Sequence, residues 1–325
     1  MISRLFSNIK SQIMAHKNKS NWSPYSARQK SKGKGPGSSP APGSGETGGK
    51  NTGKVAQKHS ESGARHRRST ENYSLDEAQD RLRDLFDRHG LKNVPFAQRR
   101  DLARFYQLLM DNQNERNFTR LLTLRDVGIK HFIDCLCVPR ILEENGVPLL
   151  FPLMDVGTGP GFPGIPLKIA FPEERIILAE GVQKRVDFLK QVRDEFGFPY
   201  GPGTTETGPK APLDILGRNV NEECFVSVNG VITRAVEDAS NTLGNVIHAL
   251  QTGGRVYLMK GPNCGPEIQP ALDKWGEYFE LERDIAYSIE NTPNERRLLV
   301  FKKIKMHPLP DFVDLDLAWE KEHGA

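Results

Sequence analysis

Asp155-Val156-Gly157-Thr158-Gly159-Pro160-Gly161-Phe162-Pro163-Gly164-Ile165-Pro166 decides the fold, because a strand end, a glycine turn and a helix start follow one another within it. Upstream, Leu149-Leu150-Phe151-Pro152-Leu153-Met154 is a short apolar run of the kind buried in a parallel sheet. Downstream, Leu167 to Phe171 continues into a short helix that Pro172 stops. The glycines therefore sit where the backbone bends sharply and where a missing Cβ lets a ligand approach the N–H groups. Pro163 and Pro166 suit a helix's first turn, where a lost N–H costs little. This is the architecture of a nucleotide-cofactor pocket.

Two ligands compete for it. Gly159-x-Gly161-x-x-Gly164 matches the dinucleotide fingerprint, which is weak on its own. Asp155 and the tighter Gly157-x-Gly159-x-Gly161 spacing favour another ligand. A carboxylate at the strand end would repel a pyrophosphate but could hold the ammonium of an amino-acid-bearing cofactor such as S-adenosylmethionine. The next strand, Arg175-Ile176-Ile177-Leu178-Ala179-Glu180, ends in an acid able to accept both ribose hydroxyls, as either cofactor needs. A glycine turn with no ligand is the plain alternative.

Charge divides the chain. Residues 1 to 70 hold 14 Lys or Arg against Glu46 and Glu61, a balance of +12, so the rest of this +4 chain is at −8. From Ser31 to Gly53 the composition is mostly Gly, Ser, Pro, Lys and Thr, too poor in apolar side chains to offset the entropy of ordering. A disordered basic tail over 1–70 is expected. It suits a polyanionic partner or serves as a solubilising extension; charge alone leaves both open. No apolar run approaches a membrane span and no signal-peptide core is present, so a soluble, cytoplasmic protein is expected. Cys135, Cys137, Cys224 and Cys264 lack paired metal-ligand spacing and are too few for a disulfide framework; reduced thiols and no metal follow.

The organisation reads as a helical cap over 71–145, a cofactor-binding domain over 146–306 and a C-terminal tail over 307–325. In the cap, Ser74 caps a run bearing Leu75, Ala78, Leu82, Leu85 and Phe86 that ends near Gly90. A second run carries Leu102, Phe105, Leu108 and Leu109, and a third extends from Val127 to Val138 before Pro139. These helices are expected to pack over one edge of the sheet. Val182 to Phe196 is an amphipathic helix, and residues 197–212 read as an irregular surface insertion. Further strands are expected at Asp214–Leu216, Val228–Thr233 and Arg255–Met259, with a helix over Ala239–Leu250. Tyr278–Ile289 and Arg297–Ile304, joined by Asn291-Thr292-Pro293-Asn294, form an antiparallel hairpin. The fold class is α/β: a doubly wound, Rossmann-like sheet with an antiparallel edge hairpin and an N-terminal helical cap.

Several segments in collinear order over about residues 100 to 304 resemble one family, the bacterial small-subunit ribosomal RNA guanine-N7 methyltransferases (RsmG, formerly GidB). They are Asn117-Phe118-Thr119, Arg125-Asp126, His131-Phe132-Ile133-Asp134 and the glycine-turn string with its trailing Phe-Pro-Gly-Ile-Pro. Beyond it come Lys184-Arg185-Val186-Asp187-Phe188-Leu189, Gly230-Val231-Ile232-Thr233-Arg234-Ala235, Met259-Lys260-Gly261 and Arg296-Arg297-Leu298-Leu299-Val300. The resemblance implies a methyltransferase fold and S-adenosylmethionine as cofactor, with Gly157 and Phe162 lining its pocket. Gly217-Arg218 marks the adenine-side loop and puts Asn219 and Val220 against the adenine, where the family usually has an acid. Arg234 matches the arginine at the end of the fourth strand, facing cofactor and RNA. The expected cofactor set is Asp155, Gly157, Thr158, Gly159, Gly161, Phe162, Glu180, Asn219, Val220 and Arg234, and Arg234 is also the expected catalytic residue. Lys184, Arg185 and Lys260, near predicted strand ends, would form a phosphate-binding rim. The implied partner is small-subunit ribosomal RNA or an assembling small subunit, met by a monomer.

Guanine N7 carries an in-plane lone pair and no proton, so direct displacement on a sulfonium methyl needs no general base. The chain accordingly has no Asn-Pro-Pro-Tyr-type amine motif and no paired Cys for ring-carbon methylation. An arginine donor on N7 would block the nucleophile, which assigns Arg234 to the cofactor carboxylate, a phosphate or O6. His131 is read as a hydrogen-bonded structural histidine. The rival readings are a non-catalytic RNA- or ribosome-binding protein with a relic pocket, and a nicotinamide dehydrogenase, against which Asp155 speaks.

Overall fold

The computed structural model describes residues 73–113, 117–201, 210–234 and 237–309. The basic tail, the middle of the 197–212 insertion and the end of the C-terminal tail lie outside the described residues. The strands are β1 (Leu153–Val156), β2 (Ile176–Ala179), β3 (Leu213–Leu216), β4 (Val228–Arg234), β5 (Leu250–Lys260), β6 (Phe279–Ser288) and β7 (Glu295–Lys303). They form one sheet in the order β3-β2-β1-β4-β5-β7-β6. β1 to β5 are parallel, and β7 runs antiparallel between β5 and β6. The expected hairpin is thus at the edge, with its second strand turned inward. The strand order reverses between β1 and β4, and such a switch point opens a crevice outside the strands' carboxyl ends.

Alternation along β1 builds both faces. Leu153 packs into one cluster with Ile176, Leu178, Leu213 and Ile232, while Met154 and Val156 pack into the other with Ile177, Ala179 and Val231. The first cluster takes α5 (Gly164–Ala170) and α6 (Gln183–Glu195); the second takes α7 (Ala239–Asn245) and α8 (Ile268–Trp275). With α7 and α8 on the second face, the first face over β4, β5 and β7 has, among the described residues, no crossover helix of its own.

The cap fills it. Its helices are α1 (Leu75–Arg88), α2 (Phe96–Asp111), α3 (Leu124–Val127) and α4 (Asp134–Glu144), with a π-helical turn over Gly128–Ile133 between the last two. Ser74 caps α1 by accepting from the Glu77 N–H at 3.2 Å, and Ala78, Leu82 and Phe86 face inward. Leu102, Phe105, Phe132 and Leu142 join the same cluster as Tyr257, Met259, Leu298 and Val300. The cap therefore covers a face of the sheet and not an edge, because that is where apolar strand surface remains to be buried.

Two boundaries differ from the sequence expectation. Pro139 does not end its helix but sits inside α4. A proline there removes one backbone bond at a cost of about 3 kcal/mol, which burial of Cys135, Val138, Ile141 and Leu142 offsets. The helix expected to reach Leu250 stops at Asn245, and β5 begins at Leu250. The buried Lys303 ammonium from β7 donates to the Ile247 and Leu250 carbonyls, supplying partners that further helix would have supplied.

Candidate active site

Strand register brings three chemistry-bearing residues to one end of the sheet. Asp155 lies level with Leu178 of β2 and Ile232 of β4, Glu180 follows β2 directly, and Arg234 ends β4. The glycine turn lies over them, with φ of +67° at Gly157, +62° at Gly159 and +110° at Gly161. Left-handed backbone of this kind is open to glycine and strained for other residues.

The turn offers a ligand no backbone donors. The Gly157 and Thr158 N–H groups both bind the Ala179 carbonyl, at 2.9 and 3.1 Å, and those of Gly161 and Phe162 bind the Thr158 carbonyl, at 3.0 and 2.8 Å. The Gly159 N–H goes to Glu180 Oε2 at 2.9 Å, the Gly164 N–H to Asp155 Oδ2 at 2.7 Å and the Ile165 N–H to the Gly161 carbonyl at 2.8 Å. Pro160, Pro163 and Pro166 have none to give. Every N–H from Gly157 to Pro166 is thus satisfied within the chain, which corrects the expectation that the ligand approaches those groups. A pyrophosphate cradle needs such donors. The polar groups beside this loop are instead the Asp155 and Glu180 carboxylates.

Asp155 is fully buried beneath the turn. Its Oδ2 accepts from Thr158 Oγ1 at 2.5 Å as well as from Gly164, whereas Oδ1 is buried with no hydrogen-bond partner. Burial raises its pKa to about 7, against the pull of those two bonds and of Arg234. Asp155 is therefore first a staple for the turn, with one oxygen left over. Glu180, also buried, accepts from Gly159 and from the Val182 N–H at 2.8 Å and lies 3.5 Å from Arg185. The adenine-loop candidates arrive beside it. The Asn219 side chain lies so close to Gly181 that a Cβ there would be 2.1 Å from Asn219 Oδ1, and Val220 is buried in the second-face cluster.

On the other side, the Phe162 ring is buried and stacks on His131, with centroids 4.3 Å apart and planes at 27°. Arg234 lies over the same ring at 5.4 Å. Its Nη1 donates to the Lys130 carbonyl at 3.2 Å and reaches Asp134 Oδ2 at 3.5 Å; its Nη2 donates to His131 Nδ1 at 3.0 Å. The same Nδ1 also lies 3.0 Å from the Lys130 carbonyl oxygen. Burial, then Arg234, hold the His131 pKa down at about 3, so the ring is neutral. His131 is the structural histidine expected, but it sits in the site wall.

The expected phosphate rim is only partly present. Lys184 is exposed on the first turn of α6. Arg185, next to it, turns back to Glu180 because that buried carboxylate needs a counter-charge. Lys260 is corrected outright: it is buried, donating to the Glu237 carbonyl and to Glu267 at 2.8 Å, out of a phosphate's reach. The Cys135 thiol is pushed well above its ordinary range and Cys137 to about 12, both by burial first, so neither is a thiolate nucleophile. Among the described residues no cluster of His, Cys, Asp or Glu could hold a metal ion, and no helix is long and apolar enough to cross a membrane.

Asp134 is the residue that sequence reasoning passed over. Its buried carboxylate meets Arg234, Arg296 and Tyr287. The signal available was a lone acid in the apolar run Phe132-Ile133-Asp134-Cys135-Leu136, which demands a partner.

Residues 98–276 match the family described as rRNA small subunit methyltransferase G. The chain belongs to this family. The ribosomal RNA small subunit methyltransferase G 2 of Bdellovibrio bacteriovorus is 55% identical over 247 residues, 76% of this chain and 90% of that protein. A second such protein, from Syntrophobacter fumaroxidans, is 39% identical over 225 residues, covering 69% of this chain but 42% of its own length. The methyltransferase G of Clostridium tetani is 31% identical over 211 residues, 62% of this chain and 82% of that protein. In this chain the family match runs from within α2 to the end of α8. It takes in the π turn, the glycine turn, Glu180, Asn219 and Arg234, and it stops before the β6–β7 hairpin that supplies Arg296.

Proposed function

We infer that this protein is an S-adenosylmethionine-dependent methyltransferase acting on N7 of a guanine in small-subunit ribosomal RNA. The observation that carries this is the glycine turn whose N–H groups are all satisfied, above a buried carboxylate with one unpartnered oxygen. Such a cradle disfavours a pyrophosphate and suits a cation and hydroxyls. Family membership points the same way.

The residues fit this cofactor. Asp155 Oδ1 would take its ammonium, Glu180 the ribose hydroxyls, and Asn219 and Val220 the adenine; Gly157, Thr158, Gly159, Gly161 and Phe162 shape the wall between them. When bound, S-adenosylmethionine supplies an electrophilic sulfonium methyl. The chain's own task is alignment and charge control. Arg234 has its Nη1–Nη2 edge docked on the cap, and among the described residues the Nε–Nη2 edge has no chain partner beyond His131. That edge suits bidentate binding of a carboxylate, a phosphate or guanine O6, with N7 left clear. Neutral His131 puts no second cation beside a base that becomes positive on N7 methylation. Lys184 and the basic tail would contact phosphates, in the cytoplasm where the ribosome assembles.

Mapping of methylated nucleosides tests this, after incubating the full chain with methyl-labelled S-adenosylmethionine and either naked small-subunit RNA or small-subunit particles. One labelled N7-methylguanosine is expected, falling at least about 100-fold for Arg234→Ala. RNA binding with neither transfer nor cofactor affinity would instead support the binding-protein reading.

A further inference from the structure

We propose that Asp134 is a positioning residue that fixes the guanidinium of Arg234, holding it through one carboxylate oxygen while the other is held by Arg296 of the edge hairpin. The inference rests on the role given to Arg234 above. Asp134 is the first residue after the π-helical turn Gly128–Ile133, and its side chain is 3% exposed. Oδ2 faces Arg234 Nη1 at 3.5 Å; Oδ1 accepts from Arg296 Nε at 3.3 Å and from the Tyr287 hydroxyl at 3.4 Å. Arg234 and Arg296 stand on β4 and β7, two strands separated by β5. Asp134 reaches both of them from outside the sheet.

The geometry explains why an acid is needed here. The other contacts of the Arg234 fork are neutral: a carbonyl, an imidazole nitrogen, the Cys135 thiol at 4.0 Å and an aromatic face. Those select a direction but leave the charge uncompensated, and a long side chain so placed has other rotamers within reach of water. Arg296 and Tyr287 in turn stop the carboxylate from rotating away. One negative charge is shared by two guanidiniums, so the cluster keeps a net positive charge at the rim while Arg234 cannot swing. π-Helical turns recur where a helix must aim side chains at a functional site, and this one aims the Lys130 carbonyl, His131 and Asp134 at a single guanidinium.

Asp134→Asn keeps the shape and removes the charge, and two readouts decide the matter. In nitrogen NMR of the full chain, with the Arg234 guanidinium assigned by its loss in Arg234→Ala, the wild-type signal should be that of a rotationally restricted group. In Asp134→Asn it should show fast averaging while the melting temperature stays close to the parent's. An Arg234 signal unchanged by the substitution would overturn the proposal, as would its loss only together with unfolding. The second readout is a double-mutant cycle on methyl transfer: Asp134→Asn should lower turnover about tenfold or more in the parent and about twofold or less in Arg234→Ala. Equal losses in both backgrounds would make Asp134 a structural residue. If Arg234→Ala itself transfers normally, the role given to Arg234 fails, and the NMR result still decides whether Asp134 holds it.

Discussion

Asp155 combines two duties that usually fall to different residues. It ties the glycine turn to β1 through Thr158 and Gly164, and its other oxygen, left without a hydrogen-bond partner, is the one proposed above to meet the cofactor's ammonium. Burial raises its pKa from 3.8 to about 7, and the sign of the consequence follows. Between those two values the folded chain holds a proton that the unfolded chain releases, so this residue's contribution to stability falls as pH rises from about 4 to 7 and is level above. Cofactor binding runs the other way, because an ammonium needs the carboxylate. Titration calorimetry should find S-adenosylmethionine affinity rising roughly tenfold from pH 6 towards a plateau above 7, with Asp155→Asn weaker throughout and flat over that range. A parent profile as flat as the variant's would show that Asp155 does not meet the ligand's charge.

At the scale of elements, Gly164 joins the turn to α5. A Cβ there would lie 2.2 Å from Leu178 Cδ2 and 2.8 Å from Asp155 Oδ2. Gly164→Ala should therefore cost about 1–3 kcal/mol of stability in a denaturant titration and weaken the cofactor, since relief of the clash displaces Asp155. The sequence displayed this part of the fold plainly. Strand, glycine turn, helix and acid follow one another locally, and the hydrophobic periods of α1, α6 and the β6–β7 hairpin are undiluted. What it hid depends on partners remote in sequence. Whether a lysine at a strand end points outward cannot be seen in Met259-Lys260-Gly261; Glu267, from the short 3-10 turn Gly265–Glu267, draws Lys260 inward. Arg185 likewise answers a charge on the preceding strand end. Pro139 misled because local propensity ignores how much apolar surface α4 buries on both sides of it. The link from Asp134 to Arg296 spans 162 residues, and no local pattern announces it.

At the scale of the whole molecule, charge is unevenly distributed. The +12 of residues 1–70 stands against −8 for the remainder. A body of that sign is repelled by RNA except where a rim such as that near Arg234 and Arg296 is exposed, so the tail is the natural source of non-specific attraction. Removing residues 1–72 should leave the melting temperature of the remainder within about 2 °C, because a segment so rich in Gly, Ser, Pro and Lys from Ser31 to Gly53 brings little apolar surface to bury. The same deletion should make the slope of log affinity for RNA against log salt shallower by about 4 or more. An unchanged slope would leave the tail as a solubilising extension.

The cap fills a sheet face that has, among the described residues, no crossover helix, and from the same helices its π turn supplies the partners that seat Arg234. Foundation and fitting come from one piece of chain. A graft that exchanged residues 73–144 for another packing layer of equal volume could restore every buried methyl group and still yield an enzyme without a working centre. On the role proposed for Arg234, the cap is no detachable appendage: exchanging it removes the seat of that arginine along with the packing.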